Sequence, residues 1–187
     1  WIRQVELGKQ PSKGALQRHL NEVHGKNPGF TETIASNCRD IYGNSSYDLL
    51  LNFLDKDNDS DVLDIACGSG FLLNLCHNRL GVGSQLTGID MSSSELKLAR
   101  KKLKHTNIKL HLGLAQDLSF LKESSFDVIL CHWALTLMDP VVPVFNSIKR
   151  LLKNKGLFAA IIDGDINHAP EYHKIHNIIY KYVQLEH

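Results

Sequence analysis

Two carboxylates and a run of small residues carry the first chemical signal in this chain. Asp64 lies near the end of the apolar run Val62-Leu63-Asp64-Ile65, and Ala66, Gly68 and Gly70 follow at alternate positions. Asp90 closes a second apolar run, Leu86-Thr87-Gly88-Ile89, one helix and one strand further on. Small residues in a turn let a ligand approach the backbone, because no large side chain stands in the way. The apolar run from Phe71 reads as a helix start, whose first N–H groups lack partners within the helix. A carboxylate at the end of a second strand can accept both hydroxyls of a ribose. Together these residues predict a site for a nucleotide-like ligand.

The ligand class follows from what is missing. A dinucleotide turn requires a third small residue for close helix packing, and Leu73 stands there. A phosphate-cradling loop requires Gly-Lys followed by Ser or Thr, whereas Gly25-Lys26 is followed by Asn27 and follows no strand pattern. An acid at Asp64 would repel a pyrophosphate and suit a cation. S-adenosylmethionine carries a sulfonium and an ammonium group and no phosphate, and it meets these conditions.

The elements that must position these residues alternate between strand and helix, the pattern of an α/β protein with a parallel sheet. Strands are predicted over 61–66, 85–89, 109–112, 127–131 and 157–163, the last preceded by a turn at Asn154-Lys155-Gly156. One helix carries Phe71, Leu72, Leu75 and Cys76 and ends near Gly81. The next starts after Ser92, with Glu95 completing an S-x-x-E capping box. A third follows Pro140 with Val144, Ile148, Leu151 and Leu152, and a last helix is expected over 171–185. Residues 1–60 read as a helical cap with helices near Leu16–Val23, 31–38 and 47–54, and a polar linker over 55–60. Residues 61–187 read as the core domain.

Composition narrows the classes further. A net charge of +1 on 187 residues gives no global electrostatic case for nucleic acid. The basic run Lys97, Arg100, Lys101, Lys102 and Lys104 falls on the polar face of an amphipathic helix and reads as solvated. Four isolated cysteines without a C-x-x-C pair read as reduced thiols of a cytoplasmic protein. No run reaches membrane-spanning length. Asp163 and Asp165 lack an evident third ligand, and His168, His173 and His176 lack a cysteine or acid partner, so no metal site is expected. The chain begins at Trp1 and ends Leu185-Glu186-His187, an ending similar to the start of an expression tag.

Leu63-Asp64-Ile65-Ala66-Cys67-Gly68-Ser69-Gly70 resembles the first motif of the class I S-adenosylmethionine-dependent methyltransferases, with Ala66 in place of a glycine. Asp90-Met91 matches the family's ribose acid and the residue that packs on adenine. Gly113-Leu114-Ala115-Gln116-Asp117-Leu118-Ser119-Phe120 is similar to the segment after the third strand, with Leu114 replacing the usual acid and Ser119 the usual proline. The resemblance implies that Ala115, Gln116 and Asp117 contact adenine. Residues 126–135 resemble the fourth-strand motif, which implies that Cys131 and His132 line the methionine end. His132 is the candidate general base, since histidine titrates near neutral pH; a hydrogen-bonded wall residue is its other reading. Arg39 is the candidate partner of the methionine carboxylate, and residues 24–31 are expected to close the site. The family sheet has seven strands, and only five are countable, so the sheet is expected to stop short of the last two.

The fold expected is therefore a Rossmann-like, doubly wound, mostly parallel sheet. The function expected is methyl transfer from S-adenosylmethionine to an O, N or C atom of a small molecule, leaving S-adenosylhomocysteine. A non-catalytic cofactor-binding module and an RNA methyltransferase are the alternatives.

Overall fold

The computed structural model describes residues 7–8 and 14–164. Three short helices, α1 (Ala15–Lys26), α2 (Phe30–Ala35) and α3 (Ser46–Leu51), precede the sheet. Then follow β1 (Asp61–Ile65), α4 (Phe71–Arg79), β2 (Gln85–Asp90), α5 (Ser93–Lys102) and β3 (Lys109–Leu112). The chain continues through β4 (Phe126–His132), a short 3-10 turn at Leu135–Leu137, α6 (Val142–Leu151) and β5 (Leu152–Ile161). The expected helix over 171–185, Asp165 and the three histidines from 168 to 176 lie outside the described residues.

All strand pairs are parallel, in the order β3-β2-β1-β4-β5. The order reverses between β1 and β4, and in such sheets a crevice opens there, beyond the carboxyl ends of the strands. That crevice is where Asp64, Asp90 and His132 emerge.

Alternation along β1 and β4 feeds two cores, one on each face of the sheet. Val62 and Leu130 pack with Leu73, Cys76 and Leu96 on the face covered by α4 and α5. Leu63, Ile65 and Ile129 pack with Val144, Ile148 and Leu151 of α6 on the other. Each fully buried aliphatic side chain contributes about 1.5–3 kcal/mol.

Leu73 is fully buried beneath β2. A Cβ placed on Gly88 would meet Leu73 Cδ1 at 2.5 Å and Cys67 Sγ at 2.8 Å. The close helix–strand approach that a dinucleotide turn achieves with a glycine on the helix is achieved here by a glycine on the strand.

The fifth strand differs from its expected form. It starts at Leu152, directly after α6, and not at residue 157. The triplet 154–156 is not a separating turn but an irregularity inside the strand: Phe126 pairs with Leu152, yet Val128 pairs with Leu157. Lys155 takes a φ of 65° at this break. Leu152 therefore belongs to the sheet rather than to the apolar stripe of α6. No helix among the described residues is long and apolar enough to cross a membrane.

Gly88→Ala is expected to cost about 1–3 kcal/mol by overpacking, read as a lower denaturation midpoint at unchanged slope. Adding Leu73→Ala should recover part of the loss. An unchanged midpoint in Gly88→Ala would refute this account of the helix–strand contact.

Candidate functional site

The turn after β1 is held in place by carboxylates rather than by its own backbone alone. Asp90 Oδ2 accepts from Gly68 N at 2.8 Å, and its Oδ1 accepts from Ser92 N at 2.7 Å. Ser92 in turn caps α5, its Oγ accepting from Glu95 N. Ala66 and Gly68 both take left-handed backbone conformations, with φ of 60° and 51°. An alanine pays a steric penalty there that a glycine does not, about 1–2 kcal/mol. Gly70 serves packing: a Cβ would meet Leu103 Cδ1 at 2.8 Å.

Asp64 stands beside this turn, buried, and its Oδ1 has no hydrogen-bond partner among the described residues. Burial first, and the nearby Asp90 charge second, push its carboxyl well above the usual range. Asp90 is also raised, chiefly by burial. A buried carboxylate of this kind is costly until a cation or a donor meets it.

Glu95 overturns its expected local role. The capping box predicts a carboxylate turned back to Ser92 N; instead Asp90 takes that donor. Glu95 accepts from Gly29 N at 3.0 Å and bonds His24 Nδ1 at 2.8 Å, both in the N-terminal segment. Glu32 of α2 accepts from Ser69 Oγ in the turn and from Lys102 Nζ of α5. Lys102 is thus a bridging residue, not part of a solvated face. The two contacts strap α1 and α2 across the opening. Of residues 24–31, His24, Gly29 and Thr31 line the cavity; the contacts that Glu95, Glu32 and Ser69 make to anchor this segment have no local signature, because their partners lie far along the chain.

The far wall is built from α3 and β4. Ser45 and Asp48 form a reciprocal capping box, with Asp48 Oδ2 accepting from Ser45 N at 2.7 Å. This sets the start of α3, so Ser46 Oγ meets His132 Nε2 at 2.8 Å and the Tyr47 ring stacks on His132 at 4.0 Å. Burial pulls the His132 pKa down to about 4, leaving a neutral imidazole at physiological pH.

These elements line a cavity of about 960 Å³. That is room for a nucleoside-sized ligand and a small acceptor together. Of the sequence-derived candidates, Asp64, Ala66, Cys67 and Gly68 line it, as do Asp90 and Met91. Ala115, Gln116 and His132 line it as well, and so does Leu114. Arg39 is exposed and donates to Cys38 O, away from the cavity. Asp117 is exposed and accepts from Ser119 Oγ at 2.7 Å, a contact that lowers its pKa. Cys131 faces the α6 core, and burial pushes its thiol up to about 12, so it is no nucleophile at neutral pH.

A methyltransferase-domain family profile matches residues 56–180. A demethylmenaquinone methyltransferase from Listeria welshimeri is 29% identical over 127 residues, 66% of this chain and 53% of the relative. The chain spans about half the length of the curated relatives it matches. A solved protein from Pyrococcus horikoshii superposes with a TM-score of 0.54 at 27% identity, covering 62% of this chain and 53% of that one. A phosphoethanolamine N-methyltransferase from Haemonchus contortus, solved with S-adenosylhomocysteine, gives a TM-score of 0.61 at 19% identity, covering 76% and 30%. At that identity the likeness is one of fold.

The strap is expected to loosen with rising pH. Its Glu95 hydrogen bond raises the His24 pKa against the opposing effect of burial. A raised folded-state pKa means that the contribution is complete below about pH 6.5 and fades as pH passes the raised value. Amide exchange over 15–35, corrected for intrinsic rates, should therefore be faster at pH 8 than at pH 6. His24→Gln should flatten the difference; an unaltered pH dependence would sink the idea.

Proposed function

This chain belongs to the methyltransferase-domain family, and from that premise we propose that its cavity holds S-adenosylmethionine beside a small-molecule acceptor. The observation that carries the reading is the unpartnered Oδ1 of Asp64, buried at the glycine turn of a cavity that Asp64 lines. When bound, S-adenosylmethionine supplies a sulfonium-activated methyl group for in-line displacement by an acceptor nucleophile. The family profile and a relative named as a demethylmenaquinone methyltransferase support this choice.

The residues divide the work by position. Asp64 takes a cationic group, which satisfies its orphaned oxygen. Asp90 stands at the end of β2, where its remaining lone pairs face a ribose. Met91, Ala115 and Gln116 line the adenine side. The strap and the Tyr47–His132 wall exclude water and fix the acceptor, which is where methyl transfer gains most of its rate. His132 acts in this reading as a positioning residue, neutral and hydrogen-bonded to Ser46. Four free thiols fit a reducing compartment such as the cytoplasm. The second reading is a module that binds cofactor without turnover, favoured by Leu114, which lines the cavity in place of an acid. Cofactor binding without methyl transfer over a broad acceptor panel would support it.

Three experiments test the proposal. Calorimetry should show micromolar binding of S-adenosylhomocysteine, weakened at least about tenfold by Asp64→Asn. No binding by the intact protein would end the cofactor reading. The same variant should melt higher than the parent without ligand at pH 8, because a raised carboxyl pKa means stability is lost as pH climbs through it. For His132→Gln, kcat should fall less than about tenfold with the pH profile unchanged in shape. A loss of about 10² or more, with the acidic limb removed, would mark His132 as the base instead.

A further inference from the structure

We propose that Ser46 is a positioning residue for methyl transfer: by donating its hydroxyl proton to His132 Nε2, it holds the imidazole as the tautomer that carries its proton on Nδ1. The cavity then meets a donor at His132 and not a base. This deepens the methyl-transfer reading, on which it rests for what the donor meets. The arrangement of the ring stands on its own contacts.

Two successive residues of α3 grip that ring. Ser46 Oγ lies 2.8 Å from Nε2, and the Tyr47 ring covers the imidazole face, with centroids 4.0 Å apart and planes 16° from parallel. The reciprocal cap of Ser45 and Asp48 fixes where α3 begins and so places both residues. Stacking holds the plane of the ring but does not distinguish a nitrogen from a carbon after a half-turn. The bond to Ser46 makes that choice, because a half-turn would set a carbon opposite the hydroxyl.

The position of the proton follows from matching donors to acceptors. Among the described residues, Ser46 is the hydrogen-bond partner of the His132 ring. With the proton on Nε2, the ring donates to Ser46 Oγ, and both the serine O–H and the Nδ1 lone pair are left over. With the proton on Nδ1, the serine O–H meets the Nε2 lone pair, and only Nδ1–H is left. Asp64 Oδ1 is the one fully buried side-chain nitrogen or oxygen without a partner among the described residues. His132 Nδ1 is therefore not sealed in the core, and the space that the ring borders is the cavity. Ser46 is not among the lining residues, so it acts from behind the ring.

An N–H facing the acceptor takes a lone pair and removes no proton. It orients an acceptor that bears an oxygen or nitrogen beside its reacting atom. Burial works in the same direction, since a His132 pKa of about 4 keeps the ring neutral.

Nitrogen NMR spectra of the full chain, isotopically labelled at histidine, read the tautomer directly, and His132→Gln assigns the signals. At about pH 7.5 the parent should carry the proton on Nδ1 over Nε2 by at least about fivefold, the scale set by one hydrogen bond. Ser46→Ala should lower that ratio at least about threefold and draw the two signals together. Ser46→Thr, which keeps the hydroxyl, should restore the parent pattern. Protonation chiefly at Nε2 in the parent, or an unmoved ratio in Ser46→Ala, would overturn the inference. The parent spectrum decides alone if Ser46→Ala does not fold. The spectra are recorded with and without S-adenosylhomocysteine. If that ligand fails to bind while Nδ1 keeps the proton, the methyl-transfer reading falls and the role of Ser46 in setting the tautomer stands.

Discussion

One carboxylate organises the site. With two oxygens, Asp90 pins the glycine turn through Gly68 N and the start of α5 through Ser92 N. The turn can then follow a left-handed path at Ala66 and Gly68, and α5 starts at a fixed place and angle. Because α5 is fixed, Glu95 and Lys102 on its surface reach the N-terminal segment. Because that segment is anchored, it forms one wall of the crevice. The chain of dependence runs from one buried acid at a strand end to the N-terminal wall of the cavity.

Stability and function pull in opposite directions around this cavity. Asp64 and Asp90 are both buried, and each is held above its ordinary pKa. A protein optimised for folding alone would not place an unpartnered oxygen at the end of its central strand. The cost is tolerable because both faces of the sheet are well packed, from Leu63 and Ile129 on one side to Leu73 and Leu96 on the other.

Much of this was legible in the residues. The strand at 109–112 and the centres of β1, β2 and β4 follow from short apolar runs and the turns that bound them. The glycine turn, Asp64 and Asp90 stand out because their roles are local: a strand end, a tight turn, a helix start. Leu73 argued against a dinucleotide turn, but its partner Gly88 was invisible, since the two meet only when helix packs on strand. The S-x-x-E pattern at Ser92 indicated a local cap. Asp90 claimed the Ser92 donor, and Glu95 was freed for a long-range contact.

The sequence by itself determined the class of sheet, the order of its elements and the turn that marks a ligand site, because each depends on residues close in the chain. Tertiary structure alone decided who shares that site. It turned Glu95 and Glu32 from surface-pattern residues into anchors of a strap, and set Ser46 and Tyr47 against His132. It left Arg39 and Asp117 in solvent and Cys131 in the core. The physical reason is common to all of these. A buried polar group must find a partner, and which donor or carboxylate is nearest depends on how the helices dock, not on spacing along the chain.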